Sequence, residues 1–139
     1  MTDCLLMPAD LVRGTRLFAG APYAYAAAAP GTGLIFTAGA CPLDDQGQVV
    51  APGDFAAQMR RAVDNLRVAL EECGATLRDV LKTTVFVASD RREDLVTAWN
   101  EVAGAFGDHD APSTLLGVAV LGYADQLVEI EATAFEAPR

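Results

Sequence analysis

From Phe55 onward apolar side chains return every third or fourth position: Phe55, Met59, Ala62, Val63, Leu66, Ala69, Leu70 and Cys73 form one stripe. That spacing matches the 3.6-residue turn of an α-helix with a single buried face. Pro52-Gly53-Asp54 announces the start, with Asp54 placed to cap the first turn, and Gly74 suits the left-handed position that closes a helix. A second stripe, Leu95, Ala98, Trp99, Val102 and Phe106, predicts another helix that stops near Gly107. In front of it Asp90-Arg91-Arg92-Glu93 has the spacing of a capping box, with Asp90 as N-cap and Glu93 at the third helical position.

Shorter runs surround these helices. Leu34 to Gly39 is apolar with turn residues at both ends, and predicts a buried strand. Asp79 to Ala88 contains the β-branched and aromatic run Thr83-Thr84-Val85-Phe86-Val87, a second strand, and Thr114 to Leu121 predicts a third. Leu127 to Phe135 alternates: Val128, Ile130, Ala132 and Ala134 share one face, while Leu127, Glu129, Glu131, Thr133 and Phe135 share the other. Ala24 to Ala29 is bracketed by prolines, too short for a stable helix, and reads as an extended strand edge. Strands, helix, strand, helix, two strands describe a single α+β domain over residues 1–139, a mixed sheet with both helices on one face. The other sheet face keeps apolar residues and needs a partner.

Composition narrows the partners. The 139 residues are 52% hydrophobic and 21% charged, which suits one soluble domain. A chain of this length buries only roughly 65–70% of its unfolded surface, so apolar faces left over favour self-association. A net charge of −9, with a single lysine, Lys82, and scattered arginines, repels phosphate backbones and argues against nucleic acid. Cys4, Cys41 and Cys73 are odd in number and widely spaced, giving neither a disulfide framework nor, with His109 alone to add, a metal cluster. The reducing cytoplasm is the simplest location. Met1 to Asp10 carries an acid and no basic leader, unlike a signal peptide, and no apolar stretch approaches membrane-spanning length.

Five segments occur in an order that resembles a known family. They are Pro22-Tyr23, Ile35-Phe36-Thr37-Ala38-Gly39, Asp64-Asn65-Leu66, Lys82-Thr83-Thr84-Val85-Phe86-Val87 and Val128-Glu129-Ile130-Glu131-Ala132. Together they resemble the Rid (reactive intermediate deaminase) family, also called the YjgF family. The resemblance implies a chorismate-mutase-like fold assembled as a homotrimer. Sheets would form a central barrel with helices outside and a small-molecule cleft between each pair of subunits. Family deaminases hydrolyse imines or enamines such as 2-aminoacrylate, without a cofactor. A cleft arginine pairs with the substrate carboxylate, and a glutamate on the last strand positions or activates water.

Carried over residue by residue, the family tyrosine falls on Tyr23 and the catalytic glutamate on Glu129. The arginine position falls on Ser113, and the family's Thr-Ser-Gly-Gln becomes Thr37-Ala38-Gly39-Ala40. Trp99 aligns with an asparagine, although Asn100 is one step away, and Leu115 adds a further apolar replacement. The expected substrate-binding set is therefore Tyr23, Ser113, Ala38, Gly39, Leu115 and Trp99. With serine in place of arginine, efficient 2-aminoacrylate deamination is not expected. The reading favoured is hydrolysis of a neutral or cationic imine or enamine; the alternative is a non-catalytic small-molecule-binding trimer. Arg16, on a possible first strand, is a candidate substitute for the arginine. By alternation alone Glu129 and Glu131 are a solvent-facing strand edge; the resemblance moves Glu129 into the cleft and leaves Glu131 open. Cys41 reads as inert packing, and His109 as a surface loop residue.

Overall fold

The computed structural model describes residues 9–136. Helix α1, Phe55–Glu72, begins where expected, with the Asp54 carboxylate accepting the Ala57 N–H at 2.9 Å. Its stripe supplies Met59, Ala62, Val63, Leu66 and Leu70 to the core, and Gly74 takes φ +79° beyond its end. Helix α2, Arg92–Phe106, buries Ala98, Val102 and Phe106. The strands are β1 Asp10–Val12, β2 Ala26–Ala28, β3 Leu34–Thr37, β4 Val80–Val87, β5 Ser113–Gly117 and β6 Val128–Phe135. They form one sheet in the order β1-β2-β3-β6-β4-β5. Every pairing is antiparallel except β4 with β5, where α2 provides the crossover that parallel neighbours require.

β6 lies at the centre, between β3 and β4, and its alternation is as expected. Val128, Ile130, Ala132 and Ala134 are buried, facing the helices with Ile35, Val85 and Val87. The register puts Leu11, Ala27, Phe36 and Thr133 across the other face, and likewise Leu116, Phe86 and Glu129. On that uncovered face Leu11, Phe36, Leu116 and Phe135 are exposed.

Three expectations are corrected. Ala26–Ala28 is not an edge strand, because Asp10–Val12 pairs along its other side. Asp90 does not cap α2: the N-cap is Arg91, which contributes no side-chain bond. Ser89 takes over, accepting the Arg91 N–H at 3.0 Å and donating to Asp94 at 2.7 Å. The third apolar run is also a shorter strand than its composition suggests. It begins one residue earlier, at Ser113, and leaves the ladder after Gly117. A Cβ at Gly117 would stand 2.7 Å from the Ser89 carbonyl oxygen, so the backbones meet there too closely for a side chain.

The connection from β5 to β6 is held from below by a residue the apolar stripe passes over. Gln58 of α1 is fully buried; its amide donates to Asp125 O at 2.9 Å and accepts from Leu127 N at 2.8 Å. Neither described helix is long and apolar enough to cross a membrane.

Candidate functional site

Glu129 is the second residue of β6. With Val128 and Ile130 locked in the core on either side, its side chain must leave by the uncovered face. The chain Gly39-Ala40-Cys41 runs alongside, tied by Ala40 N to Ile130 O at 2.6 Å and Ile130 N to Ala40 O at 3.2 Å. Gly39 is the space in which the carboxylate lies, since a Cβ there would overlap Glu129, Oε2 first. Two donors converge on the other oxygen: the Cys41 thiol at 3.3 Å and the Gln126 amide at 3.2 Å both reach Oε1.

A pair of phenols adjoins the Cys41 thiol. Tyr23 and Tyr123 share a hydrogen bond of 3.1 Å between their hydroxyls, and the Tyr23 hydroxyl also interacts with the Cys41 thiol. The Tyr25 ring meets Tyr23 edge-on at 5.7 Å, and the Tyr25 hydroxyl is anchored on Phe18 O at 2.6 Å. Ala38 lines the adjoining cleft with Tyr23, Tyr25 and Cys41. Burial foremost, then the Glu129 carboxylate, pushes the Cys41 thiol up to about 12. Burial, then the Tyr123 hydrogen bond, pushes the Tyr23 phenol well above its ordinary range. Both groups therefore stay protonated near neutral pH and serve as hydrogen-bond donors, not as anionic nucleophiles.

The remaining expected residues sit elsewhere. Ser113 and Leu115 pair with Thr83 and Val85, whose side chains face the helices, so they lie on the opposite sheet face from Glu129. The Ser113 hydroxyl bonds the Thr83 hydroxyl and donates to Ala111 O at 3.1 Å. Ser113 and Trp99 line a groove with Val102, Phe106 and His109. The expected residues thus fall in two groups, Tyr23-Ala38-Gly39-Glu129 and Ser113-Trp99, which one chain does not bring together. Arg16 belongs to neither: it pairs with Glu71 at 2.5 Å and Glu72 at 3.7 Å, beside the C-terminal end of α1. His109 stacks on Phe106 and bonds Val80 O at 2.8 Å, a structural role. Glu131 shares the face of Glu129 and borders a shallow depression with Lys82, Thr84 and Phe36. Among the described residues no cluster of three histidine, cysteine or acidic side chains could hold a metal.

Gln126 and Tyr123 escape sequence reasoning. Each lies in an irregular turn, where no period says which way a side chain points. Cys41 did carry a signal, its position two residues after Gly39.

The family model described as endoribonuclease L-PSP matches residues 14–136. A RutC family protein of Pyrococcus abyssi is 32% identical over 105 residues, 74% of this chain and 79% of that protein. The 2-iminobutanoate/2-iminopropanoate deaminase of Escherichia coli is 35% identical over 105 residues, 73% of this chain and 78% of that enzyme. Among solved structures, the YjgF gene product of Escherichia coli superposes with a TM-score of 0.76 at 31% identity, over 92% of this chain and 100% of that one.

Proposed function

The chain belongs to the endoribonuclease L-PSP family, also called the YjgF or Rid family, and on that premise we propose that it is a cofactor-independent hydrolase of small neutral or cationic imines or enamines. The reaction takes place in clefts between the subunits of a homotrimer. The observation that carries this reading is the Glu129 carboxylate, bonded by a thiol and an amide, with the Tyr23–Tyr123 pair beyond the thiol and no guanidinium among the described residues bonded to it.

The Escherichia coli relative is named for 2-imino acids, which are carboxylates. In this chain Ser113 stands at the position of the family arginine, and Arg16 is engaged with Glu71 and Glu72. Losing a charge-assisted pair to a buried carboxylate costs about 2–5 kcal/mol, roughly 30- to 4,000-fold in affinity. Glu129 adds repulsion to that loss. The same negative charge attracts an iminium cation.

Glu129 takes a proton from water as the water oxygen bonds to the imine carbon and the π electrons move to nitrogen. With the substrate bound as the iminium, Glu129 returns that proton to the carbinolamine nitrogen and takes the hydroxyl proton as the O–H electrons form the carbonyl. The C–N bond breaks, its electron pair leaves with ammonia or an amine, and Glu129 gives its proton to solvent. Tyr23 orients the substrate by donating a hydrogen bond. The groove of Ser113 and Trp99, brought by a neighbouring subunit, closes the apolar side. Ammonia release from small imines generated in situ, with and without a carboxylate, tests the reading. Glu129→Gln is expected to lower turnover by about 10²- to 10⁴-fold. Unchanged turnover in that variant would sink the reading, as would a preference for the carboxylated substrates. Apolar Trp99, Leu115 and Ala38 favour a second reading, a binding trimer without chemistry. Thermal stabilisation by a ligand that releases no ammonia would select it.

A further inference from the structure

Glu129 has two oxygens in unlike surroundings. Oε1 receives both the Cys41 thiol at 3.3 Å and the Gln126 amide at 3.2 Å. Oε2 points over Gly39, and no hydrogen bond from a described residue ends on it. A carboxylate held by two donors on one atom cannot rotate to exchange its oxygens without giving up both. We propose that Cys41 and Gln126 are positioning residues that dedicate Oε1 of Glu129 to the protein and leave Oε2 as the atom that meets water and ligand. The inference rests on the reading of Glu129 as the working carboxylate.

The two donors are themselves fixed. Gln126 is almost fully buried, and its amide is fully engaged: Oε1 accepts the Tyr123 N–H at 3.1 Å, while Nε2 donates to Val128 O at 3.0 Å as well as to Glu129. A glutamine is suited to this place because it accepts at one end and donates at the other. Through its oxygen it sets the turn that carries Tyr123, whose hydroxyl meets Tyr23. Cys41 sits on the opposite side, its backbone carbonyl held by the Asn65 amide of α1 at 2.8 Å. The thiol has a competing acceptor, Gly39 O at 3.5 Å, farther than Glu129 Oε1 at 3.3 Å. Because the thiol stays protonated, it remains a donor while Glu129 is charged. Seen this way, Gly39 removes the side chain that would fill the space of Oε2, and the two donors keep the carboxylate turned toward that space.

Infrared difference spectra against Glu129→Gln isolate the carboxylate stretches of Glu129, whose splitting reports unequal hydrogen bonding of the two oxygens. Cys41→Ala and Gln126→Leu are each expected to narrow that splitting. Cys41→Ser, which restores a donor, returns it toward wild type. The thiol S–H band, isolated against Cys41→Ala, is expected to move to higher frequency in Glu129→Gln. In parallel, turnover of an accepted imine falls about tenfold in Cys41→Ala with KM little changed, the effect of misdirecting one group by about 1.4 kcal/mol. Should Gln126→Leu fail to fold because the Tyr123 turn is lost, the two Cys41 variants still decide the matter. Carboxylate bands indifferent to Cys41→Ala, or an S–H band indifferent to Glu129→Gln, overturn the proposal. The second result would mean that the thiol donates to Gly39 O. Bands that shift in a protein without turnover on any imine uphold the positioning and refute the hydrolase instead.

Discussion

Gly39 carries the strongest constraint at the scale of single residues, because the carboxylate of Glu129 occupies the place of its missing side chain. Gly39→Ala forces Glu129 away from Cys41 and Gln126, and is expected to destabilise the fold by about 1–3 kcal/mol, as insertion into packed space does. Turnover should fall with it. Denaturant midpoints and steady-state rates on the same preparation check both effects, and a variant with wild-type values of each would show that the carboxylate can move freely. Cys41 provides a pH-dependent test. A thiol raised from 9.0 to about 12 carries less thiolate at any pH below that value, so its alkylation near neutrality should be about three orders of magnitude slower than that of an unperturbed thiol, rising only toward pH 12. Peptide mapping after iodoacetamide treatment separates it from Cys4 and Cys73; rapid labelling of Cys41 at pH 7 would contradict its burial beside Glu129. Neither constraint was visible in sequence. Glu129 and Tyr23 stood out only through the family resemblance, since alternation alone made Glu129 an ordinary solvent-facing residue. Cys41 looked like packing because its partner lies 88 positions away.

Among the elements, α1 and β6 were legible and the connection between β5 and β6 was not. A stripe at helical spacing and a strict alternation are local patterns, so Met59, Leu66 and Leu70 and then Val128, Ile130 and Ala134 declared their burial unaided. The turn that delivers Tyr123 and Gln126 depends instead on Gln58, a polar residue within the buried face of α1. The distant backbone of Asp125 and Leu127, with Ala51 O at 3.3 Å, explains its presence. The Ser89 hydroxyl ahead of α2 was hidden for a similar reason: Asp90-Arg91-Arg92-Glu93 has a plausible box spacing, but the helix begins after Arg91, with Ser89 accepting the Arg91 N–H and donating to Asp94. If Gln58 pins the connection, Gln58→Ala should cost about 2–4 kcal/mol, because buried backbone groups on both sides lose their partner. The Tyr123–Tyr23 contact should loosen with it. Urea unfolding and tyrosine fluorescence together read these effects. A loss of stability below about 0.5 kcal/mol would place the anchor elsewhere, that being the scale of an ordinary surface substitution.

If the proposed trimer forms, the Glu129 group of one subunit has to meet the Ser113-Trp99 groove of another. Leu11 at 64%, Phe36 at 50%, Leu116 at 43% and Phe135 at 38% exposure all lie on the sheet face the helices leave open, spread from β1 at one edge to β5 at the other. A net charge of −9 opposes binding of a phosphate backbone on that face. A second and third copy of the chain suit it, and closing a ring by rotation sets unlike edges of neighbouring subunits against each other. Glu129 would then work against the Ser113-Trp99 groove of a neighbour and never against its own. Complementation tests this directly. Glu129→Gln and Trp99→Ala should each be nearly inactive as pure trimers, yet co-refolding equal amounts makes clefts in which Glu129 from one subunit faces Trp99 from the other, both intact. Random assembly places up to about a quarter of all clefts in that state, so activity should return toward a quarter of wild type. A mixture no more active than its parents, in a preparation shown by sedimentation to exchange subunits, would mean that each site is built within one chain.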